Sequence, residues 1–307
     1  WRTTRENALT CFKFLTGEGH WPDEVRRARE AQQRPCLTVN KLPKFVAQIV
    51  GQYRLANMAV QVSPADSKSD VTLASLYEGL TRAIQYESVA QIAYRTALQQ
   101  AAAGGFGWYR VTREYEGDDG WDQVLRMRPV YNPFSVYLDP RSVAHDLEDA
   151  RYLFVSDEIP ESDFERNFPD ADLTSIAAEG SGDKRISWRN ASDKTVRVCE
   201  WWTRDEEERR LVLIGVPGAD ASVKSIEWPK EEEEAYRLQQ EMAQGGYQVL
   251  RERQARRQVI KQSLISGGEI LKPATKWPGR YFPIVPVYGE EVFYEGERRL
   301  WGILWNA

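Results

Sequence analysis

The chain has 307 residues, 42% hydrophobic and 28% charged, with a formal net charge of −5. This allows one large domain or two modest ones with a sizeable buried core. The weak acidity excludes a surface that grips nucleic acid along its whole extent, which needs clustered Lys and Arg, but leaves room for local basic patches.

From the N-terminus, residues 1–104 read as mostly helical. Leu42, Phe45, Val46, Ile49, Val50 and Tyr53 recur at helical spacing and predict one apolar face. Arg54 to Ser63 reads as extended, closed by Ser63-Pro64. The longest helical pattern spans Val71 to Ala103, with Leu73, Leu76, Tyr77, Leu80, Ile84, Ile92 and Leu98 on its expected buried side. Gly104-Gly105 stops it.

From residue 105 the pattern changes to strands. Phe106–Tyr115 and Trp121–Val130 read as a hairpin, and Phe134–Leu138 and Arg151–Ile159 as further strands. Glu161–Phe168 reads as a short helix opened by acidic residues, and segment 180–194, rich in Ser, Gly and Asp, as a mobile loop. Val196–Thr203 and Leu211–Val216 predict a second hairpin that turns at Asp205–Glu208. A charged helix follows from Lys230 to Ala243, ended by Gly245-Gly246. Basic residues then crowd Arg251–Lys261 and lead into a strand that ends near Leu271, and the proline-fixed tail Pro278–Gly289 reads as extended. The apolar end, Leu300–Ala307, predicts that more protein follows. Helices first and strands afterwards, without regular βαβ alternation, predict an α+β fold, with the helical part packed on a mixed, β-rich region.

Cys11, Cys36 and Cys199 share no C-x-x-C spacing and fit free thiols in a reducing compartment. With His20 and His145 as the only histidines, a His/Cys metal site is disfavoured, and no cofactor is implied. No phosphate-binding G-x-x-x-x-G-K-[ST] loop occurs, which excludes a P-loop motor. Gly104-Gly-Phe-Gly107 follows a helix and precedes a strand, the reverse of a dinucleotide-binding turn. Asp118-Asp119 and Asp170-Ala-Asp172 read as solvated turns, and Asp146-Leu-Glu-Asp149 beside His145 as a surface turn. Cys36 reads as a buried thiol rather than a nucleophile. The eleven tryptophans suit core and interface burial better than a ligand platform. No run approaches the roughly 18 apolar residues of a membrane helix, and the first residues do not resemble a signal peptide.

One stretch does carry a signature: Phe14-Leu-Thr-Gly-Glu-Gly-His-Trp21-Pro, Glu24-Val-Arg-Arg-Ala-Arg29, Arg34-Pro-Cys-Leu-Thr-Val-Asn40-Lys and Ile49-Val-Gly-Gln-Tyr-Arg54. It resembles the opening of the portal proteins of short-tailed, double-stranded DNA phages. Gly105–Val111, Pro133–Pro140, Ile159–Phe168, Val198–Thr203 and Phe282–Gly289 resemble later segments of the same family, in the same order. The resemblance implies that residues 1–104 form the helical part of the portal wing and residues 105–307 its β-rich part with a helical insertion. Stem, clip and crown segments are then expected downstream. It further implies a structural, non-enzymatic subunit in a homo-oligomeric ring of about twelve copies at one capsid vertex of the virion, assembled in the host cytoplasm. The implied partners are double-stranded DNA passing through the ring, the terminase packaging motor, the major capsid and scaffolding proteins and the head-to-tail adaptors, with no membrane. Trp21, Arg34, Pro35, Asn40 and Arg54 are the structural signature residues.

A ring assembled head to tail needs two different, complementary patches on each subunit. Glu231, Glu232, Glu233 and Glu234 on one side, and Arg251, Arg253, Arg256 and Arg257 on the other, are the candidates. Two other classes remain open: an enzyme that processes nucleic acid, which requires converging carboxylates or a metal, and a Trp-rich carbohydrate-binding module.

Overall fold

The computed structural model describes residues 1–307 except 57–58, 65–69, 118, 172–187, 191, 216–222, 230, 268 and 307. Asp118, Asp172 and most of the predicted loop 180–194 therefore lie outside the described residues. Helices come first: α1 (Arg2–Thr16), α2 (Asp23–Ala31), α3 (Leu42–Ala56), α4 (Val71–Glu87) and α5 (Ala90–Gly104). Strands β1 (Phe106–Tyr115), β2 (Gln123–Pro129), β3 (Val136–Leu138) and β4 (Tyr152–Pro160) follow, then helix α6 (Glu161–Asn167). Next are β5 (Arg189–Asn190), β6 (Thr195–Gly215), β7 (Val223–Trp228), helix α7 (Glu232–Gln244), β8 (Gln248–Ser266) and β9 (Glu269–Trp277). Strands β10 (Ile284–Tyr288), β11 (Glu290–Tyr294) and β12 (Glu297–Trp301) complete the order. The fold is α+β, as the sequence pattern predicts, and the chain divides into two compact units, Trp1–Asp157 with Tyr281–Ala307, and Glu158–Arg280. The boundary falls inside β4.

The first unit is built around α5. Its Ala90, Ala93, Ala97, Ala101 and Ala103 are almost wholly buried, and these small side chains let other backbones approach closely. Strand β1 lies between β10 and β2, antiparallel to both. Gly107 of β1 passes so near the helix that a Cβ there would stand 2.1 Å from the Ala97 carbonyl oxygen. Gly105 caps α5 at φ 92°, a conformation open to glycine, and its N–H donates to the Ala101 carbonyl at 2.8 Å. The glycine run is thus a helix stop and a close-packing device. On the other side of α5, Cys11, Val46, Val50, Ala102, Ala103 and Leu304 form a core with Phe12, Leu15, Leu42 and Ile49.

Three sequence expectations fail in this unit. The pattern from Val71 to Ala103 is two helices, broken at Ser88-Val89, where Val89 takes φ 49°. That conformation is uncommon for a β-branched residue, and no Gly or Pro announces it. The expected buried side of α4 is also open: Leu73, Leu76, Tyr77 and Leu80 are 46, 66, 53 and 54% exposed. Arg54, moreover, lies in the last turn of α3 and not in an extended segment.

The second unit has β6 as its spine. Strand β8 pairs with it antiparallel from Cys199↔Ile265 to Gly215↔Gln248. Strand β7 pairs with its far end, β5 with its near end, and β9 with the near end of β8. At roughly 3.3 Å per residue, the 21 residues of β6 extend about 70 Å. The expected hairpin at Asp205–Glu208 does not exist, because that acidic run is the middle of one continuous strand. The reason lies in the pairing. Glu207 and Glu208 face Arg257 and Arg256 across the ladder, and opposite charges on paired strands stabilise an extended conformation where a turn would leave them solvated. Helix α6 packs Phe164 on Val196 and Val198, and α7 packs Met242 on Val212 and Ile214.

Candidate assembly surfaces

The signature stretch gathers at the junction of α1, α2 and α3. Asn40 ties it together: its side-chain amide donates to the Leu15 carbonyl at 2.9 Å and the Phe14 carbonyl at 3.3 Å, while its oxygen accepts from the Leu42 N–H at 3.1 Å. One residue thereby caps the end of α1 and the start of α3. The Trp21 indole N–H donates to the Thr38 hydroxyl at 3.1 Å, and the Arg29 guanidinium lies 4.9 Å from the Trp21 ring. Arg29 also donates to the Pro35 carbonyl at 3.2 Å. Trp21 and Pro35 are thus joined through Arg29, and Asn40 caps the α1–α3 junction, while Arg34 is exposed and Arg54 lies exposed in the last turn of α3, at the end of that helix away from Asn40.

Residues that sequence reasoning missed hold the first unit as firmly. The Arg5 guanidinium donates to the carbonyls of Val136 at 2.7 Å and Phe134 at 2.5 Å and lies 4.2 Å from the Tyr137 ring. Burial pulls it below the ordinary arginine value. Buried Gln100 donates to the carbonyls of Val130 at 2.7 Å and Tyr131 at 2.9 Å, and accepts from the Trp108 N–H at 3.4 Å. No local motif marks either residue, since all their carbonyl partners lie 30 or more positions away.

The groups that could have carried chemistry are engaged structurally. Asp149 accepts from the Ser142 hydroxyl at 2.7 Å and the Val143 and Ala144 N–H groups at 2.6 and 3.1 Å. Burial opposes its charge, but these donors outweigh it and hold the carboxyl below the usual range. Asp139 is held the same way by the N–H groups of Arg141 and Arg151 and by the Arg151 guanidinium, against its burial. Burial pushes the Cys11 thiol up, away from the thiolate that a nucleophile needs. Among the described residues, no His, Cys, Asp and Glu converge as a metal site. The tryptophans are spread through both units, with Trp121 and Trp305 the exposed ones. A cleft of about 500 Å³ beside α7 includes Trp228, but the Arg210 guanidinium already lies 5.2 Å over that ring and pairs with Glu252. A sugar would have to displace it.

The charged patches lie in the second unit. Glu231 precedes α7 and Glu232, Glu233 and Glu234 form its first turn, all four exposed. Arg251, Arg253, Arg256 and Arg257 are exposed on β8. Arg256 pairs with Glu206 at 3.6 Å, and Lys261 with Asp205 at 2.9 Å, so the middle of β6 takes part of the basic run that the sequence set against the α7 block.

The model of the phage P22-like portal protein family matches residues 1–307. A curated portal protein of Acyrthosiphon pisum secondary endosymbiont phage 1 is 24% identical to the chain, over 99% of this chain and 42% of its own length. The chain thus spans less than half the length of that relative. With the match running through the α1–α3 signature, the β1–β4 strands and the charged ribbon alike, the chain belongs to the phage P22-like portal protein family.

Proposed function

We propose that this chain is the wing of a portal subunit, with residues 1–104 its helical part and residues 105–307 its β-rich part. About twelve copies form a closed ring at one vertex of the virion capsid. Double-stranded DNA passes through the ring during packaging and ejection. The terminase motor and later the head-to-tail adaptors dock on it, and capsid and scaffolding proteins surround it, with assembly in the host cytoplasm. The subunit guides DNA and carries out no reaction on it. A whole protein of the relative's length leaves room for the stem, clip and crown.

The observation that carries this reading is the family match over the full chain. The open apolar stripe of α4, formed by Leu73, Leu76, Tyr77 and Leu80, supports it, because a contiguous exposed apolar face on a folded unit marks a contact with another protein. The net charge of −5 suits a conduit, where tight phosphate contacts would retard moving DNA. Electron microscopy of the whole protein tests the reading. A closed ring with a central hole wide enough for a duplex is expected; a compact monomer would overturn it, and magnesium-dependent DNA cleavage or glycan binding by that monomer would point to the other two classes.

A further inference from the structure

We infer that the helix-free face of the β6–β8 ribbon docks the α7 side of a second copy of this chain. This rests on the ring reading and deepens it, by naming which surfaces meet. Directly paired residues of two strands point to one face of a sheet. On β6 the even-numbered Val196, Val198, Val212 and Ile214 lie under α6 and α7, so both helices of the unit cover the same face. Leu211 pairs with Arg253, Leu213 with Arg251 and Glu207 with Arg257, which places these three arginines on the opposite face. All three are exposed, and Leu211 and Leu213 are half-buried beside them. Arg256 pairs with Glu208 in register and with Glu206 by charge, and belongs to the helix side.

The far end of the ribbon is therefore two-sided. Its helix side carries Glu231, Glu232, Glu233 and Glu234, against Arg237 on the same helix, while Arg210 and Arg256 of the strands are paired with Glu252 and Glu206. Its bare side carries Arg251, Arg253 and Arg257 around two leucines, with Glu207 and Glu227 on that face already held by Arg209. Two copies meeting through the same side would set like charges together. A copy meeting its neighbour's other side matches them, which is the head-to-tail arrangement that closes into a ring. Leucines between the arginines favour a protein partner over a phosphate backbone, because arginine with apolar neighbours is the composition of an interface centre.

Charge reversal in the whole protein tests the contact, read as the fraction of ring-sized particles by native mass spectrometry near physiological salt. Arg251→Glu with Arg253→Glu should lower that fraction by about tenfold or more, and Glu232→Arg with Glu233→Arg should do the same from the other side. The chain carrying all four changes should recover rings. Circular dichroism checks that each variant is folded. Rings at wild-type levels from both double variants, or no recovery in the fourfold variant, would overturn the contact and leave the ring reading standing. Normal rings from Arg251→Glu/Arg253→Glu that have lost duplex DNA binding would reassign the stripe to DNA. Failure of the unaltered protein to form rings would remove the ring reading and this contact with it.

Discussion

The two units solve the problem of stability by different means. In the first, α5 is an alanine-faced rod, and β1 approaches it at distances that only glycine and alanine permit. In the second, the middle of the β6–β8 ribbon sets the acidic run Asp205–Glu208 of one strand against Arg256, Arg257, Gln258 and Val259 of the other. Close packing tolerates no added atom. A ribbon of paired charges tolerates many changes, because each exposed pair contributes little and water replaces what is lost. The first unit is thus sensitive to volume, and the ribbon of the second tolerant of surface change. A scaffold and an adaptable contact surface need these respective properties.

The largest expected effect is Gly107→Val. Its Cβ would stand 2.1 Å from the Ala97 carbonyl oxygen, so either α5 or β1 must move. Overpacking of this kind costs about 1–3 kcal/mol or more, and backbone against backbone belongs at the upper end. A large drop in the urea midpoint, independent of salt, is expected. A midpoint near wild type would show that the approach of β1 to α5 is not what holds this unit.

Gln100→Leu comes next. The volume is nearly conserved, but the carbonyls of Val130 and Tyr131 and the N–H of Trp108 lose their partner inside the core. A buried polar group left unmade costs about 1–3 kcal/mol. Stability lowered by that order, with the far-ultraviolet spectrum unchanged, is the expected result of chemical denaturation. Gln100→Glu separates hydrogen bonding from size, since a carboxylate cannot donate to the two carbonyls and should be at least as damaging.

The first unit also has a pH signature. Burial pushes the Tyr288 hydroxyl up from 10.0 to about 12, with the Arg298 guanidinium, whose carbon lies 4.0 Å from the ring centre, opposing the rise. Because the folded value lies above the unfolded one, the folded chain holds the phenolic proton where the unfolded chain has released it. The stabilisation is complete below pH 10 and is lost as the pH rises toward 12. The denaturation midpoint should therefore fall across that window, and Tyr288→Phe should flatten the decline. An equal decline in both proteins would assign it to other groups.

The sequence showed the helix-to-strand switch at residue 105, the β1–β2 hairpin and the short acidic helix α6, because each has local punctuation: a glycine pair, a polar turn, a proline. It did not show the break at Val89, whose conformation is imposed by packing and not by residue type. It misplaced Asp205–Glu208, because an acidic run looks like a turn until the arginines that face it, about 50 residues later, are known. The α4 stripe read as core because helical periodicity reports only that a face is apolar, not what covers it. Of the signature residues, Asn40 has a role that its neighbours in sequence explain in part. Gln100 and Arg5 could be found only in three dimensions.

The smallest expected effect lies in the ribbon, and it sharpens the contrast most directly. Arg256 and Glu206 pair at 3.6 Å with side chains 71 and 57% exposed. At that exposure, removing either partner should leave the unfolding midpoint of the chain within error, because solvent already screens most of the attraction. Reversing both Glu206 and Glu208 to Arg goes further. It sets Arg256 beside two new like charges, and the midpoint should fall slightly at low salt. About 1 M salt shrinks the screening length to roughly 3 Å and should restore it. Gly107→Val and Gln100→Leu should show no such recovery, since neither close packing nor a buried hydrogen bond is relieved by screening ions. A ribbon variant whose loss persists in high salt would mean that the middle of β6 and β8 is held by packing after all.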